Sequence, residues 1–303
     1  MKNILKTIAL FLVVSIGLLH AGGTDNTGFS YLKVGVDARA AAMGDAFTSL
    51  ADNAGAAFWN PAGLAAAGSN TLLLMHNAWL QDVNHDYAAV QFVQGAHNLA
   101  VSINMMNVTG IELRGESASE IPDGEIHALN SYIGLAYATT VWSDWQIGVQ
   151  AKYLYEKYYL YSADGVALDI GLRKSNLLPG LNWGLAIHNM GKMSTLKETA
   201  TPLPLLFKTG FNYTLPAKLL DGPVLLATDL SYVRDGVTTL HLGGEWGMTD
   251  YADLRVGYVL GRESQSISGG FGIAYGIFNF AYAFIPFNYD LGNSHRFSLL
   301  VDL

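Results

Sequence analysis

The stretch Ile277-Phe278-Asn279-Phe280-Ala281-Tyr282-Ala283-Phe284 alternates between aromatic residues and residues of other kinds. Successive side chains of a β-strand point to opposite sides, so Phe278, Phe280, Tyr282 and Phe284 would share one face. That face would be bulky and apolar along its whole length, while the other would carry mostly small or polar residues. The stretch therefore predicts a strand with one side against an apolar environment.

The same alternation recurs along the chain from Asn70 onward. We count fourteen such segments, each about as long as a tilted strand needs to cross a bilayer. Their predicted ranges are 70–80, 85–95, 97–107, 128–141, 145–157, 164–174, 181–190, 204–215, 223–233, 237–248, 252–262, 266–275, 277–286 and 294–303. An even number of antiparallel strands is typical of bacterial single-chain barrels. The pattern predicts an all-β fold, a 14-stranded antiparallel transmembrane β-barrel.

Composition excludes several other classes. Charged residues are 14% of the 303-residue chain, against about 25% in an average soluble domain, and hydrophobic residues are 50%. The net charge of −8 disfavours nucleic acid as a partner. A soluble β-sandwich would also alternate, but it would bury its apolar face against a second sheet and carry more surface charge. We therefore favour a barrel in the outer membrane of a Gram-negative-type bacterium, surrounded by outer-membrane lipid.

The gaps between predicted strands distinguish the two ends of this barrel. If both chain termini are periplasmic, the longer loops should follow odd-numbered strands and face outward. The gaps 108–127 and 191–203 fit this rule, and they carry Leu113 and Leu196 among charged residues. Exposed apolar groups rimmed by charge usually mark a contact surface. We expect Leu113 and Leu196 to contact a secreted partner or a hydrophobic substrate; the alternative is that both fold inward and cap the barrel.

The N-terminus has the features of a secretory signal peptide. Lys2 and Lys6 precede a short apolar run that ends at Ala21. We predict cleavage after Ala21. An uncleaved membrane anchor is the less favoured alternative, because the run is short for a bilayer.

Residues 35–67 differ from the rest of the chain. Thirteen of these positions are alanine, and Gly44, Gly55, Pro61 and Gly63 interrupt the run. Short helical turns with small side chains suit a confined space, so we predict a short helical hatch in the barrel lumen. The predicted divisions are 1–21, a signal peptide; 22–69, an N-terminal extension and hatch; and 70–303, the outer-membrane β-barrel.

Three motifs in this segment resemble the N-terminal signature of PorV/PorQ family outer-membrane proteins. They are Gly35-Val-Asp37-Ala-Arg39-Ala-Ala-Ala-Met43-Gly44-Asp45-Ala46-Phe47, Leu50-Ala-Asp52-Asn-Ala54 and Asn60-Pro61-Ala62-Gly63-Leu64. That family is similar to the FadL-type transporters of hydrophobic compounds, which are fourteen-stranded barrels with an N-terminal hatch. The hatch residues that we single out are Asp37, Arg39, Met43, Asp45, Phe47, Asp52, Phe58, Trp59, Asn60 and Pro61.

Arg39 is the only lysine or arginine in 35–67, and Asp37, Asp45 and Asp52 lie near it in sequence. A buried charge needs a partner, so we expect Arg39 to pair with one of these or with an inward-facing barrel residue. The inward-facing candidates are Asp169, Arg173, Asp229, Glu245 and Arg255. Such pairs could form a latch that lets the hatch move, although a purely structural role is the favoured interpretation.

The sequence contains no motif typical of catalysis or of cofactor binding. A nucleophile elbow, a phosphate-binding loop and an HExxH motif are all absent, and the histidines lack metal-ligand spacing. We therefore predict no enzyme activity, no cofactor and no metal.

Two functions remain open. The PorV/PorQ resemblance implies an accessory or shuttle barrel of type IX-like protein secretion, with secretion-system proteins or secreted cargo as partners. The FadL resemblance implies the alternative, passive transport of long-chain fatty acids or other hydrophobic small molecules across the outer membrane.

Overall fold

A computed structural model describes residues 27–80, 83–115 and 120–303 of the chain. The predicted signal peptide lies outside these residues. Fourteen of the described strands form one closed antiparallel barrel, so the predicted fold class is confirmed. Two further short strands pair with each other in the connection between the seventh and the eighth barrel strand.

The strands follow the chain in order around the barrel. They are β1 (Thr71–Ala78), β2 (Val83–Gln94), β3 (His97–Leu113), β4 (Gly124–Trp142), β5 (Trp145–Tyr158), β6 (Tyr161–Leu178), β7 (Leu181–Met193), β8 (Thr195–Leu196), β9 (Thr199–Ala200), β10 (Leu206–Thr214), β11 (Val224–Val233), β12 (Thr238–Thr249), β13 (Ala252–Leu260), β14 (Ile267–Tyr275), β15 (Phe278–Pro286) and β16 (Asn293–Asp302).

The barrel closes where its first strand meets its last. β1 pairs with β16 along its full length, from Thr71 opposite Asp302 to Ala78 opposite His295. This pairing removes both edges of the barrel sheet, so each of the fourteen described barrel strands has a paired neighbour on both sides. We call the end that holds Thr71 and Asp302 the proximal end, and the opposite end the distal end.

The outer surface of the barrel is apolar. On β3, Leu99, Val101 and Ile103 are more than 40% exposed, while the alternating residues Ala100 and Ser102 are fully buried inside. This is the reverse of a soluble protein, in which the buried face is the apolar one. The exterior therefore suits the hydrocarbon interior of a bilayer.

The barrel wall is uneven in height, and here the structure corrects the predicted loops. β3, β4 and β6 have 17, 19 and 18 residues, whereas β1 has 8 and β13 to β15 have 9 each. Much of the predicted loop 108–127 is strand, because β3 continues to Leu113 and β4 begins at Gly124. These distal extensions lack an apolar face, so the alternation that marks a membrane strand does not reveal them.

Four short helices lie inside the barrel. They are the 3₁₀ helices Ser30–Lys33 and Pro61–Ala66 and the α-helices Ala38–Ala42 and Ala56–Trp59. Most of their residues are fully buried against the inner wall. No helix among the described residues is long and apolar enough to span a membrane. We use the word hatch below for residues 35–67.

We expect the folded barrel to resist sodium dodecyl sulfate until it is heated. In the closed barrel every strand is hydrogen-bonded to two neighbours, so the strands must separate cooperatively when the barrel unfolds. Boiled and unboiled samples should migrate differently on a gel. Identical migration, together with recovery in a soluble periplasmic fraction, would contradict the membrane-barrel fold.

Candidate functional site

The hatch rests on places where the inner wall has no side chains. A Cβ atom added at Gly148 would overlap the backbone of Pro61, one at Gly257 would overlap Gly44, and one at Gly184 would crowd Thr48. Gly171, Gly243 and Gly270 face the hatch in the same way. Inward-facing glycines therefore form a footprint into which the hatch backbone fits.

Barrel side chains also bind the hatch backbone directly. The Asp229 carboxylate accepts hydrogen bonds from the backbone N–H groups of Phe47 and Thr48, at 2.9 and 2.7 Å. Asn212 and Arg173 both donate to the carbonyl of Ser49, at 2.8 and 3.0 Å. Further contacts come from Ser298 to Ala38, Thr71 to Ala54, Gln91 to Leu64 and His241 to Gly44. The hatch is thus held from many strands.

The predicted partner of Arg39 is found in the barrel wall. Arg39 donates from Nε and Nη2 to the two oxygens of Glu245, both at 2.7 Å. Arg255 donates to the same carboxylate at 2.6 Å and to Asp253 at 2.9 Å. Burial alone would lower the pKa of Arg39, but Glu245 raises it above its ordinary value. Two guanidinium groups therefore share Glu245 as a counter-charge, and both would lose it if that carboxylate were removed.

The three acidic hatch residues lie apart. Asp37 accepts a hydrogen bond from the Arg39 backbone N–H and caps the helix that follows it. Asp45 lies 3.9 Å from Arg296 of β16, and Asp52 is exposed. None of the three therefore provides the ion pair of Arg39 in the structure.

Asp169 belongs to a separate cluster in the wall. It pairs with Lys152 at 2.8 Å and lies 3.3 Å from His188. The Oδ1 atom that contacts Lys152 also accepts a hydrogen bond from the backbone N–H of Asn189, at 2.8 Å. The five predicted inward charges thus divide into three groups: Asp229 and Arg173 bind the hatch backbone, Glu245 binds both Arg39 and its wall neighbour Arg255, and Asp169 binds other wall residues.

The predicted aromatic hatch residues form its core. Phe47 and Phe58 both pack edge-on against Trp59, with ring centroids 5.8 and 5.2 Å apart. Met43 is fully buried beside Gly243. Asn60 donates to the carbonyls of Thr48 and Leu172 and accepts from Ala62, with Pro61 in the first turn of the following helix.

The two predicted loop contacts are both half-buried. Leu113 pairs with Gly124 at the end of the β3–β4 ladder. Leu196 belongs to β8 and packs against the main hydrophobic core. The structure therefore places neither of them as a freely exposed loop side chain.

A cavity of about 750 Å³ opens above the hatch at the distal end, and we call it the cup. Beside polar residues such as Thr238, Arg262 and Gln265, its upper wall has an apolar part. It includes Trp79, Leu206, Val233, Ile285 and Phe287, which lie at or just beyond the distal ends of their strands. A cavity of this size is in the range that holds a small organic molecule.

The floor of the cup is polar and positively charged. Lys208, His241 and Arg296 lie two or three residues deeper along their strands than the upper wall, and Asp45 of the hatch lies among them. Burial alone would raise the pKa of the Asp45 carboxyl, but the cations around it, foremost Arg296 and Arg262, lower it below its ordinary value. The cup therefore combines a partly apolar wall with a cationic floor.

Sequence reasoning missed these floor residues. Lys208 and Arg296 occupy the inward positions of their strands, so the alternation alone could have identified them as lumen charges. Their convergence on Asp45 could not be predicted, because it depends on how the hatch sits within the barrel.

A smaller cavity of about 290 Å³ lies on the proximal side of the hatch. It is lined by Asp37, Arg39, Glu245 and Arg255, together with Asp253 and Asn279 near the proximal ends of their strands. The hatch thus separates two cavities, and the Arg39–Glu245 pair borders the lower one. Among the described residues, no group of His, Cys, Asp and Glu side chains could hold a metal ion.

Comparisons with solved structures agree with this geometry. The monoaromatic hydrocarbon channel CymD superposes with a TM-score of 0.63, covering 89% of this chain and 98% of its own, at 13% identity. The TodX monoaromatic hydrocarbon channel, in its deltaS2 mutant form, superposes with a TM-score of 0.62 at 10% identity. The match covers 90% of this chain and 98% of the TodX chain. Identities this low show a shared fold only.

Sequence comparisons add nothing to this. No protein-family model matches the chain, and no curated protein matches it. The structural likeness therefore shows a barrel fold shared with these two channels, and no comparison shows the PorV/PorQ family.

We expect Gly148→Val to displace the hatch. The added side chain would occupy the space of the Pro61 backbone, whereas the strand itself tolerates valine well. The matched control is Gly244→Val, where the new Cβ would meet neighbouring side chains at ordinary distances of 3.7 and 3.9 Å. Ion conductance in planar bilayers should rise for Gly148→Val and remain at the wild-type level for the control. Equal conductance of both variants would place the Pro61 turn outside the permeation path.

We expect Glu245→Gln to destabilise the protein by about 3 kcal/mol, because it leaves Arg39 and Arg255 without a counter-charge inside the lumen. Asp253→Asn removes a charge from the same cluster at a more exposed position and should cost less than about 1 kcal/mol. Urea unfolding of the barrel in lipid vesicles measures both. If the two variants lost the same free energy of unfolding, the Arg39–Glu245 pair would contribute no more to stability than the more exposed Asp253.

Proposed function

We propose that this chain is an outer-membrane barrel of the FadL type that admits hydrophobic compounds through the cup. The observation that carries the proposal is the cup itself, a cavity with a partly apolar wall that is closed below by a docked hatch. The solved structures with a similar fold are named as monoaromatic hydrocarbon channels, which supports this class of ligand.

The location follows from the same proposal. An exterior of exposed leucine, isoleucine, valine and aromatic side chains is stable in hydrocarbon, so outer-membrane lipid is the surrounding medium. In this orientation the distal end, with its long strands and the cup, faces the outside of the cell. The C-terminus would then be periplasmic, whereas Gly28, among the first described residues, lies beside Thr201 and Pro202 at the distal end, which does not fit the predicted periplasmic position of both termini. The barrel acts by binding and passage, without chemical conversion of the ligand.

Passage through the barrel requires the hatch to shift. The hatch fills the space between the cup and the proximal cavity, and it is bound to the wall by hydrogen bonds from several strands. Arg39 of the hatch and Glu245 of the wall form a hydrogen-bonded ion pair, and it borders the proximal cavity. We assign to this pair the function of a latch, which holds the hatch closed until a ligand occupies the cup.

A secretion-accessory function of the PorV/PorQ type is the second candidate. It is favoured by strongly exposed apolar side chains at the tip of the tall wall, Ile121 and Leu160. The two leucines predicted for this contact, Leu113 and Leu196, give it less support because both are half-buried. A photoreactive group at Ile121 should crosslink to secreted cargo if this function is correct, and only within the chain if it is not.

We expect cells that express the barrel to accumulate toluene and oleate faster than cells that lack it. Ser231 lines the cup on β11, so Ser231→Trp should block uptake. The matched control is Thr228→Trp, three residues earlier on the same strand and facing outward. Both variants should retain the heat-dependent gel shift of the folded barrel.

Two outcomes would contradict the proposal. One is uptake that does not depend on the barrel. The other is full uptake by Ser231→Trp when that variant is correctly folded, since a ligand would then not pass through the cup.

A further inference from the structure

Arg296 has an unusual position at the floor of the cup. It is 5% exposed, yet its Nε and Nη1 atoms have no hydrogen-bond partner among the residues that the structure describes. The closest carboxylate oxygen, from Asp45, lies 3.9 Å away, which is beyond hydrogen-bond distance. Buried guanidinium groups normally donate most of their N–H groups, so this one is equipped to bind a further acceptor.

The other charges around the cup favour an anion in the same place. The side chains that line the cup include four basic ones, Lys33, Lys208, Arg262 and Arg296. They also include two acidic ones, Asp45 and Glu263, so the lining has an excess of two positive charges. The ring nitrogens of His241 are occupied by Gly44 and Thr239. Lys208 lies 4.3 Å from the Trp59 ring centroid, so its ammonium group meets the hatch at the floor of the cup.

We infer that the floor of the cup binds the doubly negative head group of an amphipathic ligand, a phosphate monoester, whose hydrocarbon part contacts the apolar wall. The inference rests on the proposed function and narrows it to one class of ligand. A dianion matches the excess of two positive charges, whereas a carboxylate compensates only one. A phosphate also offers three acceptor oxygens, which suits several donors that converge from different strands.

The wall of the cup fits the other half of such a ligand. Trp79, Val233 and Ile285 lie above the charged residues, at the distal ends of β1, β11 and β15. A ligand with its phosphate at Arg296 would therefore direct its alkyl chain outward along apolar side chains. A neutral hydrocarbon would add no negative charge to the floor, where Lys208 and Arg296 share the carboxylate of Asp45.

The test compares ligands that differ only in the head group. The full barrel in phosphatidylcholine nanodiscs is titrated calorimetrically with octyl phosphate, its singly charged methyl ester, octanoate and octanol, and empty nanodiscs serve as the blank. Octyl phosphate should bind at least about tenfold more tightly than the methyl ester or octanoate, because each charge-assisted hydrogen bond that is lost costs about that factor. Octanol should bind most weakly.

Three substitutions locate the site. Arg296→Gln and Arg262→Gln should each reduce the preference for octyl phosphate over octanoate. Glu263→Gln should strengthen the binding of octyl phosphate severalfold, because it removes a repulsive negative charge. Arg262 is half-buried at the rim and donates to Gln265, so its loss spares the contacts with the hatch. The matched control is Arg234→Gln on the distal turn between β11 and β12, an exposed arginine outside the cup, and it should bind like the wild type.

The possible results separate this inference from the proposed function. Equal binding of octyl phosphate and octanoate, a preference that persists in both arginine variants, or no binding at all would overturn the inference. If octanol binds as well as octyl phosphate and toluene uptake is intact, the head-group site is refuted while the uptake function stands. If the phosphate preference is found but uptake of toluene and oleate does not depend on the barrel, the site stands and the proposed uptake function fails.

Discussion

The structure depends on one constraint, which is that backbone polar groups in hydrocarbon must find partners within the protein. A sheet meets this constraint only when its first and last strands pair, and β1 and β16 do so along eight residue pairs. Closure fixes which side chains face inward, because the strand period of two assigns each residue to the lipid or to the lumen. The inverted polarity of this chain follows directly, with leucine and isoleucine outside and serine, asparagine and glutamine inside.

A ring of fourteen strands creates a second requirement. Eight strands enclose a space that side chains alone can fill, but a wider barrel leaves a lumen. Here the hatch occupies that space, and it does so through backbone contacts more than through large side chains. Glycines on the inner wall admit the hatch backbone, and the Asp229 carboxylate binds two of its N–H groups. A buried carboxylate that accepts backbone hydrogen bonds is compensated without an ion pair.

The barrel could be predicted from the sequence because the membrane-facing part of each strand follows a strict pattern. The fourteen strands were found for that reason, while the distal part of β3, from Val108 to Leu113, was assigned to a loop. Five charges of the lumen were predicted to face inward, Glu245 among them, but the sequence did not distinguish it from the other candidate partners of Arg39. That pairing depends on the rotation and depth of the hatch inside the barrel. Neither can be predicted from the sequence pattern of residues 35–67. The glycine footprint is a signal that could have helped, since Gly148, Gly257 and Gly184 occupy inward positions in strands where glycine is otherwise unfavourable.

The hatch and the cup are one physical unit because they share Asp45. This residue belongs to the hatch, yet its carboxylate lies among the cations of the cup floor and is held ionised by them. Any anion that approaches Arg296 from the cup competes with Asp45 for the same positive field. Occupation of the cup therefore weakens an electrostatic attraction that draws the hatch toward β16, whereas the Arg39–Glu245 pair on the other side of the hatch is unaffected by it. The two sets of charges oppose each other across the hatch, and a ligand in the cup changes the balance on one side only. Coupling between ligand and hatch thus requires no contact between the ligand and the latch.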